Sequence, residues 1–250
     1  MLRLNIHLFY VFIGREQMKM IMEYPTVQVY ADIYDFLDAC TVPFSNECDF
    51  QLRLAEWLKD TGHYDRVHTE YYVSLHEIEK YSGSKISDSD FPWKDKKGDA
   101  DLYIDLVVEK DGVFIPIELK YKTKAVYTKT LPFGIPNPEM VNRKMLKDSK
   151  ARPYNRYLIW KDVRWMELLQ SLPNVHAAAV VFVSDDPAYW QASKQTGFAK
   201  NFPTVGVMKG DLEHPKEMLK DPKSDSQNGG LSEDCPPFIA HASLKMTPLR

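Results

Sequence analysis

The clearest alternation of apolar and polar residues lies at residues 103–124, in the segment YIDLVVEKDGVFIPIELKYKTK. Its centre, Asp111-Gly112, is typical of a two-residue type I′ turn, so the pattern predicts a β-hairpin. In this hairpin Lys110 faces Val113. The apolar side chains then share one face, which we expect to be buried: Ile104, Leu106, Val108, Ile115, Ile117 and Leu119.

The opposite face of the hairpin carries Asp105, Glu118 and Lys120. Asp105 is predicted to face Glu118 directly, with Cβ atoms roughly 4.5–5.5 Å apart. Two carboxylates held this close repel each other, so we expect a divalent cation between them. Mg²⁺ takes oxygen ligands and keeps waters that a phosphate can replace, and Lys120 could steady a phosphate oxygen or the attacking water. The alternative is a surface hairpin with an acidic pair and a solvated lysine.

Two helices are predicted before the hairpin, near residues 29–39 and over residues 46–60, the second with Ser45 as its N-cap. Glu47 lies at the start of the second helix, in line with the apolar stripe that faces inward, whereas Glu56 lies on a different face of that helix. Glu47 is therefore the better candidate to reach the hairpin, and an ordinary helix-start acid is the alternative. The inward stripe consists of Phe50, Leu54, Trp57 and Leu58.

The remaining patterns predict alternating strands, connections and helices. Residues 67–76 favour a strand and residues 77–99 a polar loop, and residues 130–142 carry three prolines and favour a second connection. Residues 152–172 favour a long helix, and residues 175–183 a strand that is covered on both faces. The acidic turn Ser184-Asp185-Asp186-Pro187 is expected to be structural rather than a metal ligand.

Asp105, followed by Glu118-Leu119-Lys120 at the end of the next strand, resembles the PD-(D/E)xK nuclease superfamily. The whole hairpin sequence and the later segment VVFVSDDPAYW, at residues 180–190, are similar to those of uncharacterised bacterial members of this superfamily. The resemblance covers roughly residues 43–208, with Ile104 in place of the name-giving proline. It implies an α/β, restriction-endonuclease-like core, with a central mixed β-sheet flanked by helices.

The resemblance also implies a function, a metal-dependent nuclease that hydrolyses phosphodiester bonds, with DNA as the expected substrate. Asp105 and Glu118 would bind Mg²⁺ (or Mn²⁺), together with the backbone carbonyl of Ile117 or Leu119. Lys120 would orient or activate the attacking water, and Glu47 would assist from the helix. The main alternative is a non-catalytic nucleic-acid-binding or interaction module that retains the fold, and a third is a purely structural protein with solvated carboxylates.

Charge is unevenly distributed along the chain. The net charge is −3, but residues 120–164 hold twelve Lys/Arg and three Asp/Glu, so the remainder carries −12. This asymmetry could place positive potential beside the acidic site, where we expect Lys122, Lys124, Lys161 and Arg164 to contact a phosphate backbone. A salt-bridged surface that pairs Lys161 and Arg164 with Asp162 and Glu167 is the alternative.

The sequence lacks the P-loop, GxSxG, HExxH and GxGxxG motifs. Their absence argues against an NTPase, a serine hydrolase, a zincin and a Rossmann enzyme.

The ends of the chain are expected to lie outside the domain. Residues 1–22 are assigned to an N-terminal extension, residues 23–210 to the nuclease-like domain, and residues 211–250 to a linker and C-terminal tail in which residues 238–240 could form a short strand. The apolar run at residues 4–14 is too short to span a bilayer. Three cysteines without a CxxC spacing favour a reducing, cytoplasmic location and no structural zinc. No membrane partner is expected, and a homodimer is left open.

Overall fold

A computed structural model describes residues 25–83, 102–149 and 152–189, and the backbone of residues 11–14 and 238–241. Four α-helices are present in these ranges: α1 (Thr26–Ala39), α2 (Glu47–Asp60), α3 (Leu75–Ser82) and α4 (Arg152–Leu169). The strands are β1 (Val11–Gly14), β2 (Arg66–Val73), β3 (Leu102–Lys110), β4 (Val113–Lys122), β5 (Val126–Thr128), β6 (Arg143–Leu146), β7 (Ala179–Ser184) and β8 (Phe238–His241).

A four-stranded sheet with the order β2-β3-β4-β7 forms the centre of the fold. The pairs β2–β3 and β3–β4 are antiparallel, whereas β4 and β7 are parallel. The sheet is therefore mixed, and the chain has the predicted α/β architecture with helices flanking a central sheet. Helices α1 and α2 were both predicted from the sequence, near residues 29–39 and over residues 46–60, within a few residues of their observed ends.

Apolar clusters cover both faces of this sheet. On one face α1 and α2 pack against the sheet, with Phe50, Leu54 and Leu58 fully buried. On the other face α4 buries Trp160 and Val163. Along β7 successive side chains alternate between the two clusters and every one is buried, which confirms the prediction of a strand covered on both sides.

The central hairpin has the predicted register. Lys110 faces Val113, Leu106 faces Ile117, and both turn residues have positive φ, 51° at Asp111 and 75° at Gly112. Both central residues of a type I′ turn need this conformation, and glycine adopts it without a steric penalty. Five of the six predicted core residues share the cluster under α1 and α2: Leu106, Val108, Ile115, Ile117 and Leu119.

Ile104 is the exception on this face. It is buried in the opposite cluster, against α4, so its predicted position is wrong. Glu70, on the neighbouring strand, has a φ of 51° between the pairs Thr69–Leu106 and Tyr71–Ile104. Side chains on both strands change sides at this point. Before it Val67 packs on the α1–α2 side, and after it Tyr71 packs on the α4 side.

Three predicted boundaries are also corrected. The strand predicted over residues 67–76 ends at Val73, because Ser74 and Glu77 form a capping box that starts α3 at Leu75, and this helix continues into the predicted loop. Asn46 rather than Ser45 caps α2, and its side chain accepts a hydrogen bond from the Asp49 N–H at 2.8 Å. The strand predicted over residues 175–183 begins at Ala179, and Val175 makes only an isolated bridge to Phe114.

Two further strand pairs lie outside the central sheet. β5 and β6 form an antiparallel hairpin across residues 130–142, which were predicted only as a connection. β1 and β8 pair antiparallel, so the strand expected at residues 238–240 is present and its partner comes from the segment assigned to the N-terminal extension. Residues 84–99 of the predicted loop and the predicted linker at 211–234 lie outside the described residues. Within the described helices, none is both long and apolar enough to cross a bilayer.

Candidate active site

The candidate site lies where β3 and β4 separate. Counted from the turn, the last pair of the hairpin is Leu106 with Ile117. The next pair, which was predicted to join Asp105 to Glu118, does not form. The Asp105 carboxylate instead accepts a hydrogen bond of 2.7 Å from the backbone N–H of Leu119. The Asp105 side chain thus takes the place of a backbone partner at the point where the two strands separate.

Lys120 is the centre of the site. Its ammonium group donates hydrogen bonds of 2.9 Å to Glu118 Oε1 and 2.9 Å to the backbone oxygen of Leu119. It also lies 3.2 Å from Asp162 Oδ2 and 3.8 Å from Glu47 Oε1. The structure therefore brings together Glu118, Lys120 and Glu47 as predicted, with Asp105 beside them.

Glu47 reaches the site from the first turn of α2. Its Oε2 accepts a hydrogen bond of 2.8 Å from the backbone N–H of Tyr121 and one of 3.2 Å from Lys122 Nζ. Lys120 and Asp162 are only 12% and 8% exposed in their side chains, whereas Glu47 is 38% exposed. Solvent, and any ligand, therefore reaches the cluster from the side of Glu47.

Asp162 is the site residue that sequence reasoning missed. It lies on α4, which packs against the same face of the sheet from which Lys120 projects. Ile159, Val163 and Met166 form the apolar stripe of this helix, and Asp162 falls within it at helical spacing. A charged residue inside an apolar stripe is rarely buried without a partner, so this position was a readable signal.

Gln51 holds the backbone of the site in place. It lies one turn after Glu47 on α2, and its side-chain amide donates to the backbone oxygen of Asp105 at 2.7 Å. The same amide donates to Glu70 Oε1 at 2.7 Å, on the strand next to Asp105. Helix α2 therefore positions both the glutamate of the site and the strand that carries Asp105.

Burial and mutual repulsion shift the acidity of the carboxylates. Burial, with smaller contributions from Glu47 and Asp162, raises the pKa of Asp105 to about 6. Burial, with Asp162 and Asp105 nearby, raises the pKa of Glu118 to about 8. Burial also raises the pKa of Asp162. Near neutral pH Glu118 therefore retains a proton, and its carbonyl oxygen can still accept the hydrogen bond from Lys120.

The pKa of Lys120 is also raised, but for a different reason. Burial acts to lower the pKa of its ammonium group, but the surrounding carboxylates, Asp162 and Glu118 foremost, outweigh burial and raise it. Lys120 therefore stays charged across the physiological range of pH. It neutralises part of the cluster and is not available as a general base.

The donor set around Lys120 consists of oxygens, the ligand type that divalent cations such as Mg²⁺ take. Three carboxyl groups, those of Glu47, Glu118 and Asp162, lie within ion-pair distance of the Lys120 ammonium group, and Asp105 acts on it electrostatically from further away. Lys120 bonds to Glu118 Oε1 and the Leu119 carbonyl, oxygens of the kind that Mg²⁺ prefers. Within the described residues, no group of three or more His, Cys, Asp or Glu side chains is arranged to hold a metal ion. Metal binding would therefore require Lys120 to release Glu118.

The lysines and arginines predicted to contact phosphate mostly have acidic partners. Lys122 pairs with Glu47, Lys124 lies 3.7 Å from Asp186, and Arg164 donates to Glu167 at 2.8 Å. The positive charge of Lys161 acts on Asp162 and offsets part of the rise that burial causes in the pKa of that carboxyl group. The Arg164–Glu167 pair is the salt-bridged arrangement that was the alternative for this helix.

The acidic turn after β7 has a structural role, as the sequence indicated. Asp186 is buried, forms an ion pair with Arg152, and accepts a hydrogen bond from the Ala188 N–H at 3.1 Å. Asp185 accepts a hydrogen bond of 2.6 Å from the backbone N–H of Lys124. The turn thus joins the start of α4 to the chain leaving β4.

Comparisons with protein-family models, with curated proteins and with solved structures find no match to this chain. The cluster around Lys120 is therefore the feature of this chain that points to a function.

Proposed function

We propose that the protein is a Mg²⁺-dependent nuclease that hydrolyses phosphodiester bonds, with DNA as its substrate. The observation that carries this proposal is the partly exposed cluster of Asp105, Glu118, Lys120 and Glu47 at the point where two strands separate. A purely structural ion pair needs one carboxylate per ammonium group. Here an excess of buried carboxylates is maintained at an energetic cost, which is typical of functional sites.

Asp105 and Glu118 are the residues that would hold the cation, with the Leu119 carbonyl as a third oxygen. When bound, Mg²⁺ would supply a Lewis acid for the phosphate and a water molecule of lowered pKa. Glu118 must lose its proton to become a ligand, and Asp105 must be ionised. Glu47 lies on the open side of the cluster, where it can orient a water molecule or an incoming phosphate group.

Lys120 would stabilise charge rather than accept a proton, because its raised pKa keeps it as an ammonium ion. Once Glu118 turns to the cation, the Lys120 ammonium group is free to donate to a phosphate oxygen or to the attacking water. Hydrolysis forms a bond from the water oxygen to phosphorus and breaks the bond from phosphorus to the leaving sugar oxygen, which takes up a proton.

The restriction-endonuclease-like classification belongs to this proposal. It is supported by the mixed sheet, by the antiparallel β2-β3-β4 unit joined to a parallel β7, and by the position of the acidic residues on the two central strands. Helix α2, which packs on the sheet and contributes Glu47, also agrees with the resemblance seen in the sequence.

A cleavage assay tests the proposal. The purified chain is incubated with single-stranded and duplex DNA and with RNA, in Mg²⁺, in Mn²⁺ and in EDTA. Metal-dependent cleavage is expected, and it should be lost in Asp105→Asn and Lys120→Met. Lys110→Met is the matched control, because Lys110 lies at the turn of the same hairpin and pairs with Asp65 at 3.0 Å. Equal cleavage by the wild type and both site variants would refute the mechanism.

A non-catalytic module with the same fold is the second candidate. It is favoured by the hydrogen bonds of Lys120 to Glu118 and the Leu119 carbonyl, which already satisfy oxygens that a cation would need. Calorimetry with Mg²⁺ separates the two candidates. A nuclease should bind the ion with an affinity that depends on Asp105, and a module without a working site should show no such binding.

A further inference from the structure

The β5–β6 hairpin extends from the end of β4 as an arm, residues 126–147. Hydrogen bonds at its base join the segment that enters the arm to the segment that leaves it. Ser149 N–H donates to the Thr123 oxygen at 2.7 Å, and Thr123 Oγ1 donates to the Lys147 oxygen at 2.7 Å. Leu146 is buried and anchors one strand. The outer part is braced by Asn137, whose side-chain amide donates to the oxygens of Lys129 and Val141.

The arm carries unbalanced positive charge. Four basic residues and one acidic residue lie within it, in a protein whose net charge is −3. All four basic side chains are exposed, and none pairs with a carboxylate of the described residues, in contrast to Lys122, Lys124 and Arg164 nearer the site. These four residues are Lys129, Arg143, Lys144 and Lys147.

The arm also exposes large apolar and aromatic side chains. Phe133, in the short helical turn Pro132–Gly134, is 99% exposed, and its φ of 57° is an unusual conformation for a bulky residue. Tyr127 is 52% exposed, and Lys144 Nζ lies 5.8 Å from the centre of its ring. Exposed aromatic rings interleaved with basic side chains form the usual surface for unpaired bases, which stack on the rings while the phosphates meet the cations.

We infer that the arm binds single-stranded nucleic acid beside the cleavage site, with Phe133 and Tyr127 stacking on bases and the four basic residues contacting phosphates. This inference rests on the proposed nuclease function and adds a substrate class to it, namely nucleic acid with an unpaired segment. The arm is well placed for this role. Thr123, at its base, is three residues beyond Lys120, about 10 Å along an extended chain.

A binding experiment on the full chain tests the arm separately from catalysis. The probes are a fluorescein-labelled 30-nucleotide single strand and the matching duplex, titrated in EDTA with the Asp105→Asn protein as background, so that no cleavage occurs. Binding is followed by fluorescence anisotropy at several salt concentrations. The arm variants are Phe133→Ala and the double variant Arg143→Ala/Lys144→Ala.

Phe133→Ala should weaken binding of the single strand by about tenfold, and by less for the duplex. The double variant should weaken binding of both probes and reduce the dependence of log K on log salt by about one to two units. Leu52→Ala and Lys59→Ala are the matched controls, because both side chains are exposed on α2, and they should bind like the background protein.

Unchanged affinity in both arm variants, with melting temperatures equal to that of the background, would overturn the inference. It would also be overturned if Phe133→Ala converted a dimer to a monomer without affecting either probe, because the arm would then be a self-association surface. Failure of the nuclease proposal appears differently: the arm variants would change binding as expected, while the wild-type chain would show no metal-dependent cleavage.

Discussion

Replacing Asp105 by asparagine should stabilise the fold at alkaline pH while it removes the proposed activity. Asparagine has nearly the same shape, and its carbonyl oxygen can accept the hydrogen bond that Leu119 N–H now donates to Asp105 at 2.7 Å. The substitution therefore removes a charge and leaves the local contacts in place.

The size of the effect follows from the pKa of Asp105. The folded protein raises this pKa from 3.8 to about 6, chiefly by burial, so the folded chain binds the proton more tightly than the unfolded chain. The stability that the protonated group contributes is present below about pH 4 and is lost as the pH rises through 6. A shift of about two units corresponds to about 3 kcal/mol at pH 8, a large part of the 5–15 kcal/mol of a typical domain.

Urea unfolding in EDTA at pH 4.5, 6 and 8 measures this difference. Asp105→Asn should be more stable than the wild type by about 2–3 kcal/mol at pH 8, and the advantage should shrink to about 1 kcal/mol at pH 4.5. Asp65→Asn is the control: its partners, first the Asp111 N–H and then Lys110, lower the pKa of Asp65, so this variant should lose stability at pH 8. If Asp105→Asn were no more stable at pH 8, or equally favoured at every pH, the reasoning about the site would be wrong.

Three further predictions concern the metal, the helix and the turn. The affinity for Mg²⁺, measured by calorimetry, should rise as the pH increases through about 6 and about 8, because Asp105 and Glu118 must lose protons to bind; an affinity that is constant between pH 5.5 and 8.5 would contradict this. Glu47→Gln should reduce Mg²⁺ affinity or cleavage by about 10- to 100-fold, because Glu47 orients the chain at Tyr121 and Lys122; kinetics equal to those of the wild type would remove Glu47 from the site. Gly112→Ala should lower the free energy of unfolding by about 1–2 kcal/mol, because φ is 75° at this position, and urea unfolding with no change would argue against the turn.

The sequence predicted the hairpin register and most of the core because these depend on local rules. The turn chemistry of Asp111-Gly112 sets which residues face each other, and the alternation of apolar residues sets which face is buried. Helix α2 was also predictable from its apolar periodicity, and the strand covered on both sides was predictable from its nearly continuous apolar run. These patterns placed Glu118 and Lys120 on the same side of β4 and Glu47 at the head of a helix facing the sheet.

Other features could not be read locally. The β3–β4 pairing ends beside Asp105, whose backbone oxygen accepts a hydrogen bond from Gln51 on α2, and the same amide bonds to the distorted Glu70 on β2. The capping box at Ser74 was a local signal, but the apolar residues on either side of it resembled the continuation of a strand. The β5–β6 arm was missed because its strands are only three and four residues long.

The sequence by itself determined that a carboxylate-rich hairpin with a lysine would lie against an apolar core, since backbone geometry makes side-chain direction follow residue number. Only the tertiary structure decided what those charges meet. Asp162 lies more than forty residues beyond Lys120 in the chain, and it reaches Lys120 because α4 packs across the face of the sheet opposite α2. Charges interact through space and burial strengthens the interaction, so the acidity of the site is a property of the packed fold.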